Sequence, residues 1–248
     1  MINVYPNVEY LSGIRVVFAT PTVDATRCQL FRTYSSRQGF LDCTFVEAAC
    51  ATLSISSLFA PVSIGPKHRE KTFTSASIGF NNPAREIIKE AEKQFGTDMR
   101  VSTILSIGSG RPALVAFDGP TPTSHELLNG IVVDCERVAR ELATQLFNVD
   151  VYLRLNVDRG MDDTKMSDWG GLGAIEGHTE TYLEIPAVTK AIDSSLQMLQ
   201  NSVGSITLGQ LSTFAWTTLT THLRSPRPIQ WDQDASKKCA GRFTLLCC

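Results

Sequence analysis

KTFTSASIGFNNPAREII, Lys71 to Ile88, is the stretch from which the rest of the chain is read. Its second half is a helix start. Asn82 can accept backbone N–H bonds as an N-cap, and Pro83 at the first helical position forfeits no hydrogen bond. The helix predicted beyond it places Ile87, Ile88, Ala91 and Phe95 on one stripe and turns Glu86, Lys89, Glu90 and Lys93 to water. Gly96 ends it. The first half is small and polar. Its Ser75 carries a hydroxyl, but the sequence places no base beside it, and a serine without a base is a weak nucleophile.

Working toward the N-terminus, Ile14 to Ala19 (IRVVFA) has the length and apolar character of a buried strand. Pro21 and Asp24 mark a loop, and Phe45 to Leu58 reads as a small-residue helix able to approach a sheet closely. Toward the C-terminus, Val101 to Ile107 is a second apolar strand of the kind found in parallel sheets covered on both faces. Phe117 to Pro122 is a turn cluster. Thr123 and Glu126 then form a capping-box pattern. Leu127, Ile131, Cys135, Val138, Leu142 and Leu146 follow at spacings of three and four, the clearest amphipathic stripe in the chain. Val151 to Val157 is a strand. Pro186 to Val203 is a helix with Val188, Ile192, Leu199 and Val203 facing inward. Apolar strands alternating with helices predict an α/β fold with crossover helices. After about Ser205 the prolines, mixed charges and missing period predict a tail, residues 205–248, that is poorly ordered or docked only through Trp216 or Trp231.

These segments also carry a resemblance. Gly13 to Tyr34, Phe45 to Val62, Lys71 to Ile88, Val101 to Gly110 and Tyr152 to Met161 follow, in this order, segments of the patatin-like phospholipases of fungal type. DWGGLGAIEGHTETYLE, Asp168 to Glu184, fits the region that comes next. Thr72, Phe73, Gly79, Asn81, Asn82 and Pro83 match the family frame around its catalytic aspartate. The resemblance covers about Gly13 to Val203. It implies a partial three-layer α/β/α fold with a mainly parallel sheet. Residues 1–204 would form a truncated domain lacking the N-terminal strands and the nucleophile elbow.

The family consists of serine acyl hydrolases that use a Ser–Asp dyad on phospholipids, and the resemblance shows where that chemistry is interrupted. Ser75 stands where the family has the dyad Asp, with Ala76 and Ser77 in the next places. The elbow pattern G-x-S-x-G is matched only in its glycines, Gly173 and Gly177, which flank Ile175. The only adjacent glycines, Gly170 and Gly171, lie far from where the family's oxyanion loop would be. Cys50 and Ser56 replace a family Arg and Pro. The resemblance therefore implies no catalytic residue, no cofactor and no metal ligand. The expected function is a patatin-like chain without hydrolytic competence. The alternatives are an acyl hydrolase active once a missing N-terminal half is supplied, or a non-enzymatic interaction module. The partners implied are an acyl lipid or phospholipid, or a protein that completes the sheet.

Composition narrows the classes. At 248 residues, 43% hydrophobic, 19% charged and a formal net charge of −2, the chain reads as one soluble globular domain. It has no electrostatic reason to seek nucleic acid or an anionic membrane. No run approaches about 20 apolar residues. MINVYPNVEY is neither cationic nor apolar enough for a signal peptide, so a cytoplasmic location is expected. The seven cysteines contain no C-x-x-C, and Cys50 and Cys135 are expected to be reduced core thiols.

The remaining candidates have ordinary readings. Asp118-Gly119 sits between prolines as a turn. His68, His125, His178 and His222 lack metal-ligand spacing. Gly108 and Gly110 could cradle a phosphate, but only with a helix directly after them, so a strand-end turn is expected. Asp158-Arg159 is expected to form a local ion pair or a loop brace. Cys247-Cys248 lacks the C-a-a-X form of a prenylation site, with only Lys237, Lys238 and Arg242 before it.

Overall fold

A computed structural model describes residues 16–34, 43–55, 58–111, 134–161, 169–200, 204–217 and 244–247. The chain divides into two compact units, Met1–Phe80 and Asn81–Cys248. The turn cluster around Asp118, the capping box Thr123–Glu126, and Leu127, Ile131, His125, His222, Ser56 and Val203 lie outside the described residues. So do Trp231, Lys237, Lys238, Arg242 and Cys248.

Among the described residues the first unit is a four-stranded sheet with one nine-residue helix and a short, kinked helical turn at Ser77–Phe80. Strands β1 (Val16–Pro21) and β2 (Gln29–Arg32) precede helix α1 (Phe45–Leu53), and β3 (Val62–Ile64) and β4 (Lys71–Ser75) follow it. The sheet order is β2-β1-β4-β3, and every pairing in it is antiparallel. This corrects the expectation of a mainly parallel sheet, and for two of its three pairings the reason is connection length. β1 reaches β2, and β3 reaches β4, through a few residues each. Parallel neighbours need a crossover of a dozen or more. The turn between β3 and β4 uses Gly65 at φ 125° and His68 at φ 69°. β4 alternates as a one-sided strand should: Phe73 and Ser75 are buried on one face and Thr72 and Thr74 half-buried on the other, while Lys71 begins the strand at the exposed end of the buried face.

Phe31 and Phe73 meet edge to face at 5.2 Å, packed with Ala19, Ala48, Ala51 and Ile64. Alanines 48 and 51, three apart, let α1 lie close on the sheet. A reciprocal cap starts the helix: Glu47 N–H donates to Thr44 Oγ1 at 3.2 Å, and Thr44 N–H donates to Glu47 Oε2 at 2.7 Å. The helix stops at Leu53, short of the expected Leu58, because Ser54 leaves helical geometry. Its hydroxyl donates to the Ala51 carbonyl at 2.8 Å, and its own carbonyl accepts from the Ser75 amide at 3.0 Å. Cys50, expected in the core, is exposed on this helix.

The outer face of α1 leaves Phe45, Val46 and Leu53 at 76%, 66% and 62% exposure. Such an apolar surface is expected to drive self-association as concentration rises. Sedimentation velocity should show oligomers that a Phe45→Lys, Leu53→Lys variant loses. Monomer at every concentration would refute this.

The second unit mixes parallel and antiparallel pairing. It contains α2 (Ala84–Phe95), β5 (Arg100–Val101), β6 (Thr103–Ile107), α3 (Glu136–Gln145) and β7 (Tyr152–Leu155). A 3-10 turn at Trp169–Gly171 then leads to α4 (Leu172–Leu183), α5 (Pro186–Gln200), β8 (Ile206–Thr207), α6 (Leu208–Thr217) and β9 (Thr244–Cys247). β6 is flanked by β7 and β9, both parallel to it, and β5 pairs antiparallel with β8. Ala84, Ile88, Val101, Ile104, Leu142 and Val151 form the centre of its core.

Two expectations change here. The first concerns the tail from Ser205, which is not loose throughout. Ile206, Leu208 and Leu211 are buried in the core, α6 packs on α2, and β9 extends the parallel sheet. Gly204 makes the approach possible: a Cβ there would lie 2.5 Å from the Val101 carbonyl carbon. The second concerns Glu90, expected in water but only 6% exposed. Neighbouring elements reach α2 beyond its apolar stripe. The Ser212 hydroxyl of α6 donates to Glu92, and Arg85 pairs with Glu141 of α3.

Candidate functional site

The Asn-Asn-Pro motif builds a joint in the second unit. Asn82 is buried; its Oδ1 accepts from the Ala84 amide at 3.2 Å, and its Nδ2 donates to the Cys135 carbonyl at 3.0 Å. The same side chain thus starts α2 and holds the residue before α3. Asp134 caps α3, its Oδ1 accepting from the amides of Glu136 at 2.9 Å and Arg137 at 3.1 Å.

Helix α3 has two faces. One carries Val138, Leu142 and, just past its end, Leu146 into the core. The other carries Glu136, Ala139, Arg140 and Ala143, spaced i, i+3, i+4 and i+7, along an open cleft of about 410 Å³. The opposite wall is one side of β7 and its continuation, with Tyr152, Arg154, Asn156 and Asp158 at every second residue. Arg111 enters from the loop after β6, and Tyr182 from α4. The two alanines leave the room, and the charged side chains shape it. The cleft lies toward the carboxyl ends of parallel β6 and β7, where open α/β sheets commonly place ligands.

Glu136 is the hub. Its Oε1 accepts from Arg154 Nε at 3.2 Å, Arg154 Nη2 at 3.1 Å and Asn156 Nδ2 at 2.8 Å. Its Oε2 faces Arg111 Nη2 at 3.3 Å. Arg154 Nη1 also donates to Ser106 Oγ at 2.9 Å. Burial pushes the Glu136 carboxyl up, but Arg154, the Asn156 amide and Arg111 outweigh it and hold it below its ordinary value. A carboxylate so fully engaged is a poor general base. Cys135 beside it is buried, and desolvation pushes its thiol up, away from nucleophilic use.

The glycine loop after β6 is a brace and no phosphate cradle. Gly108 N–H donates to the Leu155 carbonyl at 2.8 Å, Gly110 N–H to Asn156 Oδ1 at 2.7 Å, and Arg111 N–H to the Val157 carbonyl at 2.9 Å. Those amides are spent on β7 and the loop after it. A side chain at Gly108 would strike Asn156 Oδ1 at 2.3 Å.

The chain matches no known family model, no curated protein and no solved structure.

Ser75 lies elsewhere, at the end of β4 in the first unit, and is 7% exposed. Its Oγ accepts from the Ser77 amide at 3.2 Å, and no carboxylate or imidazole among the described residues bonds to it. Gly173 and Gly177 lie within α4, so Ile175 sits mid-helix and not on a strand-to-helix turn. Gly170 and Gly171 form the short turn before that helix. Asp158 and Arg159 are both exposed, the ion-pair alternative is not seen among the described residues, and Asp158 faces the cleft. Among the described residues no cluster of His, Cys, Asp or Glu could hold a metal ion, and no helix is long and apolar enough to cross a membrane. His68 occupies the β3–β4 turn, and His178 lies on α4 beside Gly160. Cys247 lies in β9, paired with Ser106.

Sequence reasoning missed Glu136 and Arg154. The signal was present: charges four apart on the face of α3 opposite its apolar stripe, and alternation in Arg154-Leu155-Asn156-Val157-Asp158.

Proposed function

We propose that the chain is a patatin-like scaffold that does not hydrolyse esters, and that its role is non-enzymatic binding. The observation that carries this reading is Ser75 itself. The hydroxyl at the dyad position is buried in an antiparallel strand and held by a neighbouring amide, with no base bonded to it. The partly buried carboxylate of the cleft, Glu136, belongs to the other unit and is committed to two arginines and an asparagine. Loss of a nucleophile costs about a million-fold in turnover, and loss of a triad acid about ten-thousand-fold. An acyl lipid, or a protein that completes the sheet, remains the partner class for a chain of this origin.

Purified chain is expected to release p-nitrophenol from p-nitrophenyl butyrate no faster than its Ser75→Ala variant. Turnover that Ser75→Ala abolishes would overturn the reading.

A further inference from the structure

We infer that the α3–β7 cleft is a binding site for a small molecule that carries a phosphate or carboxylate on an apolar body. This goes beyond the loss of ester hydrolysis and does not depend on it. The volume, about 410 Å³, falls within the range of small-ligand pockets and is too small for a diacyl lipid. The polar floor is already satisfied: Arg154, Asn156 and Ser106 are bonded to one another or to Glu136. Recognition therefore falls to the groups that are not saturated.

Two guanidinium groups meet that description. Among the described residues, the Arg111 side chain makes one contact, to Glu136 at 3.3 Å, and the Arg140 side chain one, to Asp134 at 3.3 Å. Their side chains are 47% and 66% exposed. A guanidinium has five N–H donors in a planar fork, so both retain donors for a planar or tetrahedral anion. Glu136 is shared between Arg154 and Arg111, one negative charge between two positive ones, so Arg111 is under-neutralised. Asp134 is likewise divided between Arg140 and two backbone amides of α3. Ala139, Ala143 and Tyr182 provide the apolar surface for the rest of the ligand.

Charges set the strength. Arg111, Arg140 and Arg154 oppose Glu136, Asp158 and the adjacent Asp134, three against three, so long-range attraction is absent. Binding comes from directed donors at contact. Weak affinity that falls with salt follows from this.

Phenyl phosphate is the probe. Calorimetric titration of the full chain should show saturable binding. Arg111→Ala and Arg140→Ala should each weaken it by on the order of tenfold, the loss of one charge-assisted hydrogen bond. Arg27→Ala, an exposed arginine in the other unit, should leave it unchanged. Ala143→Leu, which fills the cleft without touching charge, should abolish binding and keeps the test decisive if an arginine variant misfolds. Inorganic phosphate should bind more weakly than phenyl phosphate, and benzyl alcohol should not bind. Equal affinity for benzyl alcohol, unaltered binding by Ala143→Leu, or absence of saturable binding would overturn the site. Capture by phosphatidylserine vesicles without binding of phenyl phosphate would overturn it as well.

Discussion

Arg154→Ala is expected to lower the stability of the Asn81–Cys248 unit by about 3 kcal/mol. Both partners of the ion pair are largely buried, with 12% and 13% side-chain exposure for Arg154 and Glu136. Removing the cation leaves a largely desolvated carboxylate whose remaining partners among the described residues are Arg111, Asn156 and, weakly, the Cys135 thiol. Trp169, Trp216 and Trp231 all lie beyond Phe80 in the sequence, so a tryptophan fluorescence change in urea does not come from the Met1–Phe80 unit. The Arg154→Ala, Glu136→Ala double variant should regain part of the loss, because no buried charge is then stranded. A single substitution that shifts the transition by less than about 1 kcal/mol would show that the pair is not the brace described here.

The same hub sets an acid limb. The folded carboxyl of Glu136 is held below its unfolded value, so its contribution is complete above the ordinary glutamate range. It is lost as pH falls further, through the lower folded value. Glu136→Gln should remove this part of the acid destabilisation, and the stability of the variant should be flatter than wild type in that window.

Gly204→Ala is expected to cost about 3 kcal/mol by overpacking. The new methyl would lie 2.5, 2.6 and 2.7 Å from the carbonyl carbon, oxygen and nitrogen of Val101. Backbone at this point cannot yield easily. Arg100 and Val101 pair with Thr207 and Ile206, the Leu208 amide donates to Met99 at 2.9 Å, and the Gly209 amide donates to Thr97 at 2.9 Å. Displacing this contact would pull Ile206, Leu208 and Leu211 out of the core. Gly173→Ala and Gly177→Ala are the controls. Both lie in α4 with nothing within 4 Å of the added carbon, and each should stabilise by about 0.5–1 kcal/mol. Equal melting of Gly204→Ala and wild type would refute the tight approach.

Legibility followed the range of the forces involved. The helix after Asn82-Pro83 and its end at Gly96 were readable because caps and stripes are local. β6, β7 and the stripe from Val138 to Leu146 were readable for the same reason, but the helix expected to run on from Thr123 through Cys135 begins only at Glu136, where Asp134 accepts its first amides. The antiparallel sheet of the first unit was not. Val16 to Ala19 is apolar enough for a buried parallel strand, and neither its short connection to β2 nor its antiparallel pairing with the distant β4 is written in that run. The docking of Ile206 to Leu211 was hidden because a two-residue strand leaves no period to detect. The cleft was hidden because charges on one helix face read as a wetted surface until β7 is set against them. Of the residues weighed in advance, Asn82, Gly108, Gly110 and Asp158 do lie at or around it, while Ser75 does not.

The hairpin-like connections of the first sheet also fix an order of events. Its strand partners are all encoded between Val16 and Ser75, whereas β5 must wait for β8, some hundred residues later. Local pairings close quickly and distant ones slowly. During synthesis the N-terminal sheet can therefore be complete on the ribosome while the other half is still a nascent, unsealed chain dependent on segments not yet translated.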